Sequence, residues 1–347
     1  RNEITSVNVD NGNRGTSMLS AAASAPPTLP LYNEDGLPTQ IEQAYNFGSA
    51  DMRNPLLNTL YKDQDFSNSI LANSTFDFQL SPNLSFKTLL GLQYRNARSE
   101  GFTPVIYEND RGSASEGNSY SNSFLTENVL TYSKFFNDKH SLNIIGGATY
   151  QTNTDRNSYI SVSGFANNIT ENFNLGAAET IGNPSSGYSD WTLGSFLSRV
   201  NYIYDGKYML TASVRADGSS RFGAKNKWGY FPSAAVAWRL SDETFLEDSA
   251  TISNLKLRAS YGITGNTALN PYQSLDRLNP VKYIYENQTD VIGFYPTGIS
   301  NSELKWETTG QLDVGFDINL FNDRFRFVFD YYKKNTKDLL ASVPLPP

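Results

Sequence analysis

Tyr208 to Asp217 reads YMLTASVRAD. Tyr208, Leu210, Ala212, Val214 and Ala216 alternate with Met209, Thr211, Ser213, Arg215 and Asp217. Successive side chains of a strand point to opposite faces, so this stretch makes a strand with one apolar and one polar side. The same split recurs on both flanks. In 254–263, Leu255, Leu257, Ala259, Tyr261 and Ile263 oppose Lys256, Arg258 and Ser260. In 311–320, Leu312, Val314, Phe316, Ile318 and Leu320 oppose Asp313, Asp317 and Asn319. Phe325, Phe327, Phe329 and Tyr331 oppose Arg324, Arg326 and Asp330. Towards the N-terminus, Phe86, Leu90, Leu92 and Tyr94 oppose Ser85, Lys87, Gln93 and Arg95.

About ten such strands are expected: 69–80, 84–95, 121–135, 139–152, 191–204, 207–217, 228–240, 254–263, 305–320 and 324–335. Many are longer than the ~5–6 residues usual in soluble domains and suit the ~9–11 residues of a tilted strand crossing a bilayer. Ser81-Pro82-Asn83, Asn137-Asp138-Lys139, Asp205-Gly206 and Asn322-Asp323 read as tight turns. Segments 96–120, 153–190, 218–227 and 264–304 read as long polar loops. Short turns alternating with long outer loops are the rhythm of an up-and-down membrane barrel. That parity makes 241–253 a long connection on the short-turn side, with room for a helix capped by Ser241.

Composition narrows the function. Asp and Glu (35) outnumber Lys and Arg (28), giving a net charge of -7, against a nucleic-acid partner. There is no Cys and one His, His140, which removes thiolate chemistry and most His-based metal or catalytic sites. No apolar run approaches the ~18 residues of a membrane helix. The 21 Tyr, 21 Phe and 4 Trp gather near strand ends, as in Phe135-Phe136 and around Tyr202, Tyr204 and Tyr208. Such clusters suit a girdle at a membrane–water boundary, and equally cross-strand packing in a soluble sheet. No enzyme, cofactor or metal is expected.

Residues 1–68 differ: Pro26-Pro27-Thr28-Leu29-Pro30 and Asn33-Glu34-Asp35-Gly36 disfavour regular ladders. A loop-rich segment is expected there, with a short helix at 15–24 and room for a strand before Ser6. The barrel segment proper is expected over 69–347. Arg1 at the start and Val343-Pro-Leu-Pro-Pro347 at the end read as the limits of a piece of a longer polypeptide.

From 199 onward the sequence resembles a known family. The residues are Arg199-Val-Asn-Tyr202, Tyr208-Met-Leu-Thr-Ala-Ser213, Arg215-Ala-Asp-Gly-Ser-Ser-Arg-Phe-Gly223, Trp228-Gly-Tyr-Phe-Pro-Ser233 and Trp238-Arg239. Further pieces match in order along the chain, Pro26–Gly36 before these and Leu255–Asn266, Leu304–Thr309 and Asp330–Leu340 after them. Together they are similar to the SusC/RagA family of TonB-dependent outer-membrane transporters of Bacteroidetes. The resemblance implies an all-β, antiparallel transmembrane barrel of ~22 strands closed around a plug, of which this chain carries under half and no plug. It implies import of an oligosaccharide or peptide, energised through TonB by a region outside this chain, with a SusD-like surface lipoprotein as partner.

Within that frame, Lys87, Arg95, Arg199, Asn201, Arg215, Lys256, Arg258, Asp313 and Asp317 form the face turned to the lumen and plug. The bland alternative is a solvated face. Trp191, Trp228, Tyr272 and Trp306 sit near outer strand ends, where they either stack on sugar rings or anchor the membrane interface. Asp217-Gly-Ser-Ser-Arg-Phe-Gly223 reads as a structural loop with Arg221 paired to Asp217. The acidic pairs Glu34-Asp35 and Asp242-Glu243 lie in loops on opposite sides, so they make no acid/base pair. His140 falls in a short turn and has no assigned role. Two other readings share the pattern: a secreted carbohydrate-binding or carbohydrate-cleaving β-protein, and a passive porin. The first buries its apolar stripes; the barrel leaves them facing acyl chains.

Overall fold

The structure, a computed structural model, describes residues 2–4, 18–45, 54–107, 110–285 and 289–341. All ten expected strands are present. They are β2 (Lys62–Ser81), β3 (Leu84–Thr103), β4 (Ser113–Phe136), β5 (His140–Ser163), β7 (Ser185–Tyr204), β8 (Tyr208–Ser219), β9 (Trp228–Arg239), β10 (Ile252–Asn266), β13 (Glu307–Leu320) and β14 (Phe325–Lys337). Among the described residues four further strands add to them: β1 (Asn2–Ile4), β6 (Thr180–Ile181), β11 (Arg277–Tyr285) and β12 (Thr289–Gly298). The main sheet runs β1-β2-β3-β4-β5-β7-β8-β9-β10-β13-β14, with β6 attached to β5. It is an antiparallel meander whose two ends, among the described residues, are β1 and β14. No described helix is long and apolar enough to cross a membrane.

Turn chemistry fixes the hairpins. Asn137 and Asp138 (φ 50° and 54°) join β4 to β5, and Asp205 and Gly206 (φ 51° and 68°) join β7 to β8. Positive φ is tolerated by Gly and, less easily, by Asn and Asp, which is why those residues occupy the turns. Pro232 lies in β9 opposite Val214 of β8, one residue beyond the last β9–β10 pair, Ser233 with Gly262. A residue without an N–H is tolerated where one ladder stops.

Three of the four expected loops need correction. The loop of 96–120 shrinks to 104–112, because β3 runs on to Thr103 and β4 starts at Ser113. The loop of 153–190 shrinks to 164–184 and contains β6. The loop of 264–304 carries the β11–β12 hairpin. The alternation cue is amphipathicity, and Arg95-Asn-Ala-Arg-Ser-Glu100 is polar on both faces, so nothing in the pattern marks it as strand. Pro280 and Pro296 hid the hairpin, yet both are at home in a two-stranded ribbon whose strands are all edges. The loop after β8 is 220–227, close to the expected 218–227.

Among its described residues the N-terminal segment holds β1, paired antiparallel to β2, and three short helices: α1 (Met18–Ser24), α2 (Ile41–Ala44) and α3 (Leu57–Leu60). β2 begins at Lys62 rather than 69. Residues 15–17 of the expected helix lie outside the described residues. Ser241 caps no α-helix; Leu240–Asp242 is a single 3₁₀ turn, and Ser241 is buried with its hydroxyl donated to Asp242 (3.0 Å).

The chain forms two compact units, Arg1–Leu71 with 93–122 and 154–189, and 72–92 with 123–153 and 190–347. The first centres on Phe102, Ala114, Val162 and Phe165. Asn172 donates to Glu100 there (2.7 Å), and Asn168 exchanges two 2.7 Å bonds with the backbone of Val105. The second centres on Phe222, Phe231 and Trp306.

Candidate functional site

In the second unit the usual exposure of a sheet is inverted. Along β9, Trp228, Tyr230, Ala234, Val236 and Trp238 are the exposed members of the alternation. The side chains between them are covered more. Leu210 is 47% exposed, Val214 46% and Val236 54%, whereas Thr211 and Ser213 are half-buried. Register joins the apolar side chains into rows. Tyr202, Leu210, Val236, Ala259, Val314 and Tyr331 follow one another across β7, β8, β9, β10, β13 and β14. A water-soluble β-protein would cover such a surface, so the secreted alternative loses its premise.

The opposite face is polar and hydrogen-bonded to itself. Thr211 Oγ1 donates to Asn201 Oδ1 (2.9 Å), Asn201 Nδ2 to Asn143 Oδ1 (3.2 Å), and Asn143 Nδ2 to Ser133 Oγ (2.8 Å). This chain of amides and hydroxyls crosses β8, β7, β5 and β4. Arg215 Nε donates to both carboxylate oxygens of Asp217 (2.7 and 3.0 Å), and its Nη2 to Ser195 (3.1 Å). Gln311 donates to Asp313. Lys256 is in register with Asp317, Arg199 with Ser213, and Lys87 and Arg95 are exposed on β3.

Arg258 makes the longest reach. It grips Asp317 with Nε (3.1 Å) and Nη2 (2.9 Å) and also touches Asp330 (3.0 Å) two strands away. Gly315 permits this. It is paired with Arg258 on one side and Asp330 on the other, so the guanidinium passes over a position without a side chain. A Cβ at Gly315 would sit 2.5 Å from the Phe329 carbonyl oxygen and collide with the Asp330 carboxylate. Gly315→Val is therefore expected to part Arg258 from Asp330 and destabilise the full-length parent by about 1–3 kcal/mol, read by denaturant unfolding from lipid vesicles. Asp330 was read only as a polar-side residue of its strand and Gly315 was not picked out; a glycine inside an alternating strand is itself a signal of close approach.

The outer-end aromatics separate. Trp306 is 6% exposed, packed on Phe222 (4.8 Å) and Phe231 (5.3 Å), with Nε1 donating to the Lys227 carbonyl (3.0 Å). Its ring is core, which corrects the reading of Trp306 as a ligand platform. Trp228 is exposed on the apolar face and stacked with Phe196 (6.0 Å). That position suits an interface anchor rather than a lumen contact. Trp191 carries the Arg221 guanidinium over its ring (4.3 Å). Arg221 thus pairs with Trp191, not with Asp217, which Arg215 occupies. Tyr272 receives the Asp190 N–H (2.9 Å) and donates to its carboxylate.

At the short-turn side one aromatic row crosses five strands: Phe136 on His140 (4.9 Å), His140 beside Tyr204 (5.0 Å), Tyr204 on Tyr208 (6.2 Å), Tyr208 on Trp238 (6.1 Å). His140, unassigned in the sequence, also shares a hydrogen bond with Tyr202 (Nδ1···OH 2.7 Å). In the following connection Glu243 accepts from Trp238 Nε1 (2.9 Å) and the Tyr208 hydroxyl (2.7 Å). These donors, the indole first, hold its carboxyl below the usual carboxylate range. A lowered folded-state pKa contributes stability above the unfolded value of ~4.3 and loses it as pH falls through the folded value. Glu243→Gln is expected to flatten the acid limb of the unfolding midpoint against pH, below pH ~4.

The TonB dependent receptor-like, beta-barrel family model matches residues 4–347. TonB-dependent receptor P3 of Formosa agariphila is 37% identical over 339 residues, 96% of this chain and 33% of the relative. TonB-dependent receptor SusC of Bacteroides thetaiotaomicron is 38% identical over 158 residues, 45% of this chain and 16% of SusC. Among solved structures, the RagAB peptide transporter superposes with a TM-score of 0.79 at 25% identity, covering 87% of this chain and 34% of the matched chain. The chain spans about a third of the length of these full-coverage relatives. With its apolar rows exposed, its polar ladder on the other face and a family match across nearly its whole length, the chain belongs to the TonB-dependent receptor β-barrel family, as a SusC/RagA-like segment of an outer-membrane barrel.

Proposed function

We propose that the whole protein is an outer-membrane importer of the SusC/RagA type, taking up an oligosaccharide or a peptide. TonB energises it, and a SusD-like surface lipoprotein closes over it. This chain supplies part of the wall. The observation that carries the reading is the inverted exposure of β8, β9 and β13, apolar side chains exposed and a self-bonded polar face opposite. In a bilayer the outward rows meet acyl chains, and the polar face lines a wet interior where a plug can seat. Lys87, Arg95, Arg199, Asn201, Arg215, Lys256, Arg258, Asp313 and Asp317 serve as that lining. Arg258 and Arg215 are preorganised for plug contact by their own carboxylate partners. Trp191 and Tyr272 are the two outer-end aromatics left for cargo. The similar RagAB structure is of a peptide transporter, which keeps peptide beside oligosaccharide as cargo.

The test is uptake of labelled neutral oligosaccharides and labelled peptides by cells carrying or lacking the full-length gene. Uptake is expected to require the gene and to stop when the inner-membrane proton gradient is collapsed. Uptake that survives the collapse would mean a passive pore and end the proposal.

A further inference from the structure

The loop after β8 lies against the outer end of β7 and is fixed there on both sides of Arg221. Ser220 N–H donates to the Thr192 carbonyl (3.0 Å), and Thr192 N–H returns a bond to Ser220 Oγ (2.9 Å). Arg221 N–H donates to Ser219 Oγ (3.3 Å). On the other side Phe222, 1% exposed, is packed in the core of the second unit, and Gly223 N–H reaches the Leu304 carbonyl (3.2 Å). Arg221 is therefore pinned between anchored neighbours, beside the strand residue that precedes Thr192.

That residue is Trp191. It lies an even number of positions from Arg199 and Asn201, so it shares the polar face of β7. The Arg221 guanidinium rests 4.3 Å from the centre of its ring. Stacking uses the flat face of a guanidinium and leaves its edge of N–H donors free. Among the described residues that edge makes no hydrogen bond and no ion pair; Nε is buried without a partner, and the terminal nitrogens are not sealed. The nearest carboxylates in sequence are taken: Arg215 holds Asp217, and Asp190 accepts the Tyr272 hydroxyl. Burial works against the Arg221 charge and lowers the guanidinium from its ordinary value. A partly desolvated cation with no carboxylate beside it is costly, and an incoming anion would offset that cost.

The surroundings favour an anion as well. Loop 220–227 carries Arg221, Lys225 and Lys227 and no Asp or Glu, in a chain whose net charge is -7. Lys225 and Lys227 are exposed and make no ion pair among the described residues. A local excess of one sign draws the opposite charge toward it. The shape of the free edge narrows the anion further. A planar fork of N–H groups fits a planar pair of oxygens, which is a carboxylate.

We infer that Arg221 receives a carboxylate of the cargo at the outer end of the polar face, with Trp191 holding the guanidinium plane in place for it. The inference rests on the import reading for calling the ligand cargo. It adds to that reading that the cargo is acidic, whatever backbone bears the acid.

Binding is measured by calorimetry and saturation-transfer NMR on the full-length protein in detergent. Two matched pairs differ only in the carboxylate: capped Ala-Glu-Ala against capped Ala-Gln-Ala, and trigalacturonate against its methyl ester. The acid of at least one pair is expected to bind about 10- to 100-fold more tightly than its neutral partner, the worth of charged hydrogen bonds. The pair that responds identifies the backbone that bears the acid. Arg221→Gln should erase the preference, and Arg221→Lys, which keeps the charge without the fork, should keep only part of it. Heat-dependent gel mobility reads whether each variant barrel is folded. The inference is overturned if neither acid is preferred, or if the preference survives Arg221→Gln in a folded barrel. Should Arg221→Gln not fold, an undiminished preference in Arg221→Lys overturns it. Acids that bind no better than their neutral partners, together with a lowered unfolding midpoint in Arg221→Gln, would assign the guanidinium to a carboxylate of the protein itself and also overturn it. Arg221-dependent acid binding without gene-dependent uptake would leave the site standing and remove the transport reading. Gradient-dependent uptake with no acid preference would do the reverse.

Discussion

Val214→Arg in the full-length parent destabilises the barrel by about 2–4 kcal/mol, while Thr211→Arg costs far less. Val214 stands in the outward apolar set of β8, nearly half exposed and opposite Pro232 of β9. In lipid that exposure is contact with acyl chains, and a guanidinium placed there must be dragged out of water or snorkel to the interface. Thr211 lies on the other face, bonded to Asn201, where an added cation stays wet. The measurement is unfolding from phosphatidylcholine vesicles, compared with the same variants in a short-chain detergent. Equal tolerance of the two substitutions would reverse the facing assigned to β8, and with it the facing of every strand in register with it.

Phe222→Ala opens the loop cluster of the second unit, with an expected loss of about 3–5 kcal/mol. Phe222 is 1% exposed and its ring rests 4.8 Å from that of Trp306. The loop backbone closes over it through Gly223 N–H to the Leu304 carbonyl (3.2 Å). The cluster meets the wall near the loop ends of its strands, through Phe231 of β9 and the partly buried Leu193 of β7 and Ile263 of β10, so the loss is expected to be local to that end rather than global. Hydrogen exchange is the right probe. Amides of 220–227 and 302–306 should lose about 100-fold or more of protection, while those of β8 and β9 keep theirs. Loss of protection throughout β8 and β9 would show instead that the loop cluster and the wall unfold as one piece.

The sequence was most legible where a strand has unlike faces. YMLTASVRAD and its neighbours carry enough contrast to locate ten strands, and Asn137-Asp138 and Asp205-Gly206 mark their hairpins. It was least legible where both faces are polar, as at 96–103 and 113–119, since strand geometry there leaves no trace in hydropathy. The polar face was legible as a list of residues but not as a network. Nothing near Arg258 in the chain indicates Asp330, 72 positions later, and nothing near Asn201 indicates Asn143.

Alone, the sequence determined which side of the ten alternating ribbons is oily, where four of the tight turns fall and which family the chain resembles. All of these are properties of neighbouring residues, because side-chain alternation and turn geometry act over a few positions. The tertiary structure decided that Trp306 is core, that Arg221 lies on Trp191, and that Gly315 is the gap through which Arg258 reaches Asp330. Those outcomes depend on register and on loops returning from far along the chain, and register is a sum over whole strands that no local stretch contains.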